Sequence, residues 1–257
     1  MNFPFLKPSL FLIFLLDLFF SAHASKTIHV YVALCDNQYQ GIVPVPAKIG
    51  NGTDLSNNLY WGCGYGVSTF FKRSANWTLI NVEKMDSIVL ERITFKHKTL
   101  DYYLVADAYN GKYIKQCTID FLESCSGRNK KVISLKNHTI PIAGQSTMLA
   151  YIGHDGLMDF ELTQSFKQVD NIKRDCIILA CYSKAYFTPF IKETGANPAL
   201  WTTGLMCPEA YTLHDALISY VVNEADLNSL RIKAASAYAK YQKCSEKAAK
   251  NLLVSGW

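Results

Sequence analysis

The sequence predicts an α/β domain built on a mostly parallel sheet with helices on both faces, extended by a C-terminal helix. Two observations predict it. Short runs rich in β-branched and aromatic residues recur along the chain, with helical patterns between them. Several of these runs are apolar throughout rather than alternating, which is how strands buried on both faces read. "STMLAYI" (Ser146–Ile152) and "CIILA" (Cys176–Ala180) are the clearest.

The elements follow in order. Residues 1–24 read as an export signal: Lys7 is the one charge in the first ten residues, Leu10 to Phe20 is apolar apart from Asp17, and Ala22-His23-Ala24 is a small-residue cleavage site. Cleavage after Ala24 is expected, leaving one domain over residues 25–257 in an exported protein, periplasmic or extracellular. The apolar stretch is too short for a membrane span, and no later segment approaches about 18 apolar residues. Thr27–Cys35 reads as a strand, followed by a loop rich in Asn, Gly and Pro. Leu59–Lys72 reads as a helix carrying three glycines. Ser87–Phe95 and Leu100–Ala106 read as strands around "KHKT", and Gly111–Leu122 as a helix. A short edge segment follows Ser126–Lys131. After the two buried strands, Tyr182–Glu193 is expected to be helical, Ala199–Met206 to hold a short strand or loop, and Pro208–Val222 and Glu224–Leu253 to be helices.

Charge argues against one class of partner. The chain has 26 Lys and Arg against 21 Asp and Glu, a net charge of +5, and the basic residues are scattered. Pairs such as Lys72-Arg73 and Lys130-Lys131 read as solvated surface, so no nucleic-acid binding is expected. The eight cysteines form no CxxC and match no zinc spacing, and their density is too low for a disulfide scaffold. Asn51-Gly-Thr53, Asn76-Trp-Thr78 and Asn137-His-Thr139 are glycosylation sequons.

In parallel sheets, functional groups gather beyond the carboxyl ends of the strands. Asp36-Asn37, Asp107, His154 and Cys181 each stand at such an end. A thiol reacts as its thiolate and needs a neighbouring base or positive charge at neutral pH. Histidine can supply that and then protonate a leaving amine. His154 and Cys181 directly follow apolar strands, with room for one crossover between them. If those strands are neighbours, both side chains leave the same sheet edge. A glycine at position 156 lets backbone approach a substrate, so its N–H and that of Cys181 could form an oxyanion hole. The bland reading of each residue is that such a cysteine is structural and such a histidine solvated.

"MLAYIGHDG" and "CIILACYS" resemble the caspase–legumain–gingipain group of cysteine peptidases. That group carries an apolar block ending in His-Gly and, later, one ending in Ala-Cys or Gly-Cys. "HVYVALCDN" and "YLVADAYNGK" look like its first two strands, and "GLMCPEAYTLHDAL" like the loop and helix after its nucleophile strand. The resemblance covers roughly Lys26 to Val222. It departs from the pattern at Asp155, which separates His154 from Gly156. The resemblance implies a three-layer caspase-like fold and an endopeptidase. Cys181 would be the nucleophile, His154 the general base and acid, and a peptide or protein the substrate, with no cofactor. It also implies a specificity pocket with Asp36 as its floor and Trp201, Thr202 and Thr203 as walls; the competing reading of Asp36 is an Asp-Asn turn or helix cap.

Three alternatives stay open. Cys63 in "YWGCGYG" could act with a downstream histidine, although Gly62, Gly64 and Gly66 make a poor first helical turn. The fold could serve as a catalytically inactive binding or regulatory protein. His154, Asp155, Asp159 and Glu161 cluster in sequence without a metal-ligand spacing, and the two aspartates read as turn caps or solvent-facing groups.

Overall fold

The computed structural model describes residues 25–136 and 138–257. The expected leader and Asn137 lie outside the described residues. Among the described residues an eight-stranded sheet forms the middle layer, in the order β10-β9-β8-β7-β1-β4-β3-β2. Its centre is parallel: β1 (Lys26–Ala33) lies between β4 (Tyr102–Tyr109) and β7 (Met148–Ile152), followed by β8 (Asp175–Leu179) and β9 (Asn197–Thr202). The antiparallel β2 (Trp77–Lys84) and β3 (Val89–His97) extend one edge, and the two-residue β10 (Leu253–Val254) closes the other.

Alternation along the strands separates two faces. Ile28, Val30 and Val32 of β1, Ala150 and Ile152 of β7, and Ile177 and Leu179 of β8 face one apolar cluster. That cluster takes in α1 (Val67–Lys72), α4 (Ala210–Tyr220) and α5 (Leu227–Gln242). Tyr31, Tyr151 and Ile178 face the other, beneath α2 (Ile114–Cys125) and α3 (Ser183–Thr194). The architecture is therefore α/β with helices on both sides of a mostly parallel sheet. A separate hairpin of β5 (Lys130–Leu135) and β6 (His138–Ala143) covers Tyr103 and Val105 of β4. It is pinned where the Ala143 N–H donates to His29 Nδ1 at 3.1 Å.

Several expectations are corrected. The segment from Leu59 is helical only from Val67. Before it, Asn58 bonds Cys35 through both its amide groups and holds the chain in turns, and a Cβ at Gly66 would lie 2.4 Å from the Trp61 carbonyl. The single helix expected over Glu224–Leu253 is two helices and a strand. Asp226 caps α5 by accepting the Ser229 N–H, and the helix ends at Lys243, whose φ is 53°. Ser245 then starts α6 (Glu246–Leu252) by accepting the Ala248 N–H at 3.1 Å. Strand β2 has no counterpart in the sequence reading, and the expected edge segment is the β5–β6 hairpin. Nothing helical beyond a 3-10 turn at Gly156–Met158 joins β7 to β8.

Candidate active site

The sheet builds the site through its register. On the adjacent parallel strands β7 and β8, Ile152 pairs with Leu179, and the Gly153 N–H continues the ladder to the Leu179 carbonyl at 3.3 Å. His154 and Cys181 each stand two residues past that last pair, where the two adjacent parallel strands end. Gly153 makes the exit from β7. Its φ of 147° is disfavoured for other residues, and a Cβ there would lie 2.7 Å from the Ala33 carbonyl oxygen.

His154 is nearly buried and held at two points. Its carbonyl accepts the Tyr151 hydroxyl at 2.8 Å, and its Nε2 lies 2.8 Å from Asp159 Oδ2. The same carboxylate oxygen accepts the Gly41 N–H at 2.9 Å. A carboxylate only accepts, so Nε2 carries a proton, and in the neutral ring Nδ1 is then the nitrogen with the free lone pair. That is the tautomer a general base requires. The sequence reading gave Asp159 to a turn or to solvent; the fold gives it to the imidazole.

Cys181 is half-buried. It precedes Tyr182, which sits in the left-handed region at φ 50° and opens α3, so the positive end of a twelve-residue helix follows the thiol closely. The Cys181 sulfur is engaged elsewhere: it donates to the Met206 carbonyl at 3.5 Å and accepts the Met206 N–H at 3.4 Å. Among the described residues no hydrogen bond joins it to His154. Burial pushes the thiol up, the Met206 N–H opposes that, and Asp155 adds to the rise. At neutral pH the resting sulfur is a thiol.

Asp155, the residue that departs from the His-Gly pattern, is fully buried. Its Oδ1 accepts the Leu157 N–H at 3.0 Å and caps the 3-10 turn. Its Oδ2 is buried without a hydrogen-bond partner. Burial pushes its carboxyl up to about 7, against the Leu157 N–H and helped by the charge of Asp159. Gly156 opens the 3-10 turn beneath the Phe160 ring, which a Cβ there would meet at 2.7 Å.

The expected pocket is only partly assembled. Asp36 is buried at the carboxyl end of β1, and its Oδ1 accepts the N–H groups of Gln38 and Tyr39, which is the turn the competing reading foresaw. It also lines a polar cleft of about 460 Å³ with Asn37, Tyr39, Asn51, Asn110 and Lys112. Chain connections leave the adjacent strands β1 and β7 in diverging directions along the sheet, β1 towards the β4 side and β7 towards β8, the place where open α/β sheets leave a crevice. Trp201 and Thr202 are corrected. Both are fully buried, Trp201 with its indole N–H on the Gly256 carbonyl, and Thr202 bonded to the Ala180 carbonyl and to Ser183. Neither side chain can wall a pocket. Thr203 is exposed, but its hydroxyl donates to the Asn251 carbonyl at 2.8 Å.

Cys63 does not head a helix: α1 begins four residues later, and its thiol donates to the Asn57 carbonyl at 3.0 Å. Among the described residues, no group of three or more His, Cys, Asp or Glu is placed to hold a metal ion, and no helix is long and apolar enough to cross a membrane. No family model matches the chain, and no curated protein or solved structure does either.

Proposed function

We propose that the protein is an exported cysteine endopeptidase of the caspase–legumain–gingipain kind, with a caspase-like fold and Cys181 and His154 as its catalytic pair. The observation that carries this reading is the register of β7 against β8, whose last pair lies two residues before both His154 and Cys181 at the carboxyl edge of a parallel sheet. The Asp159 contact supports it by fixing the ring.

In the proposed reaction the sulfur leaves Met206 and attacks the substrate carbonyl while His154 Nδ1 takes its proton. The carbon becomes tetrahedral, and the oxyanion takes backbone N–H groups at Cys181 and the Gly156 turn. The imidazolium then protonates the amine as the C–N bond breaks, leaving a thioester on Cys181. Water, deprotonated by the same nitrogen, hydrolyses the thioester and restores the thiol. The Asp36 cleft would receive part of the peptide.

One observation favours a second reading, a catalytically inactive binding or regulatory protein: the sulfur rests on the Met206 backbone, protonated, rather than on the imidazole. Alkylation kinetics at neutral pH separate the two. Fast labelling of Cys181 that collapses in His154→Ala, together with turnover of a peptide library, supports the peptidase. Slow labelling indifferent to His154 would leave the binding protein.

A further inference from the structure

We propose that Cys181 and Cys207 form a reversible disulfide, making the segment after β9 a redox-controlled cap on the candidate nucleophile. The cross-link can be tested without any assumption about catalysis. Its effect as a block on acyl transfer rests on the peptidase reading.

The geometry comes from Met206. Cys181 Sγ lies 3.4 Å from the Met206 N and 3.5 Å from its carbonyl oxygen. Cys207 is the next residue, and standard peptide dimensions put its Cα roughly 3 Å from that oxygen, hence no more than roughly 6–7 Å from the Cys181 sulfur. Two cysteines can be bridged when their Cα atoms lie within about 7 Å and their side chains can turn towards each other. The Cys207 backbone is anchored, since its N–H donates to the Tyr238 hydroxyl at 3.3 Å. Its residue is exposed, so the side chain has room to turn and an oxidant can reach it.

The other cysteines do not compete equally. Cys35, Cys117, Cys125 and Cys176 are buried, and Cys63 is bonded to the Asn57 carbonyl. Cys244 is exposed but lies on the tight link between α5 and α6. Of the two exposed thiols, Cys207 is the one whose own backbone neighbour holds the Cys181 sulfur.

The chemistry needs a disulfide as oxidant, such as oxidised glutathione or the active disulfide of a thiol oxidase. The Cys207 thiolate attacks one glutathione sulfur, a proton is released, and glutathione thiolate leaves. Cys181, as its thiolate, then attacks the Cys207 sulfur of the mixed disulfide and expels the second glutathione. Two protein thiols lose two electrons and two protons; one glutathione disulfide becomes two thiols. Reduction by excess thiol reverses both steps. With its sulfur in the bond, Cys181 can neither be alkylated nor attack a carbonyl.

The test incubates the full chain with oxidised glutathione, quenches free thiols by alkylation, and maps the unreduced peptides by mass spectrometry. The expected result is a peptide pair joined through Cys181 and Cys207, loss of Cys181 alkylation, and recovery of both free thiols with dithiothreitol. In Cys207→Ser the cross-link should vanish and Cys181 should stay alkylatable or carry only a glutathione adduct; exposed Cys244 serves as an internal control that stays alkylatable or carries a glutathione adduct but enters no cross-link. Glutathione adducts on Cys181 and Cys207 without a cross-link, or a cross-link from Cys181 to another cysteine, would overturn the proposal. A cross-link in a protein that turns over no peptide leaves the inference standing and removes the peptidase. Turnover in a protein that forms no cross-link does the reverse.

Discussion

His154 and Asp159 are locked together across the turn that leaves β7, Nε2 to Oδ2 at 2.8 Å, and the Gly41 N–H fixes the same oxygen from the loop after β1. The ring can neither flip nor change tautomer without breaking this arrangement. Asp159→Asn can present an amide N–H to the ring and invert the tautomer. The alkylation rate of Cys181 should then fall about 10²-fold or more, the scale of a general base, with far-UV circular dichroism unchanged. An unaltered rate would remove Asp159 from the site.

Asp155 ties stability to pH in the direction opposite to most carboxyls. Its folded-state value near 7 lies above the ordinary 3.8, so burial favours the protonated form. Stability from this group is full below about pH 4 and drains away as pH rises towards 7, because the unfolded chain gives up its proton first. The gap corresponds to at most about 4 kcal/mol. Asp155→Asn should therefore be more stable than the parent protein at pH 8 and close to it at pH 4 in urea unfolding. A constant difference at both pH values would show that the carboxyl does not titrate in this way.

Asp107 is the electrostatic hub on the far side of β1. It takes two hydrogen bonds from the Arg92 guanidinium at 2.6 Å each and one contact from His29 Nε2 at 3.0 Å. Burial alone would raise its carboxyl; His29 and Arg92 overcome that and hold it well below the usual range. Burial keeps the His29 ring neutral, so Arg92 supplies the lasting charge. Asp107→Ala leaves that guanidinium buried and unpaired, a loss of about 3–5 kcal/mol. Denaturant midpoints measure it, and a loss under 1 kcal/mol would contradict the hub.

Gly153→Ala tests the exit from β7. Its φ and the nearby Ala33 carbonyl leave no place for a methyl group. About 1–3 kcal/mol of strain is expected, and because His154 is the next residue, Cys181 alkylation should slow more than stability alone explains. Equal alkylation rates in a folded variant would separate the turn from the site.

The sequence made the two buried strands readable because β7 and β8 are apolar throughout, and it located His154 and Cys181 because both follow directly. Strand β2 escaped because it is an edge: Leu79, Ile80 and Val82 face solvent, and a bulge between Leu79 and Asn81 breaks the alternation. The break at Lys243 escaped because no glycine marks it. Asp159 could not be assigned from spacing, since its partnership depends on a 3-10 turn capped by a buried aspartate. Trp201 and Thr202 were misplaced because β10 and the residues after it cover the strand end, and two residues of strand leave almost no pattern to read.

The first of the described strands is one of the two central strands of the sheet. Lys26–Ala33 finds its two neighbours only when Tyr102–Tyr109 and Met148–Ile152 arrive. Most of the loop-closure entropy must therefore be spent before the central hydrogen bonds form. Folding of this kind belongs on the millisecond-to-second scale typical of non-local pairing. A chain cut short before Met148 would leave one side of β1 open and would lack the strand that leads into His154.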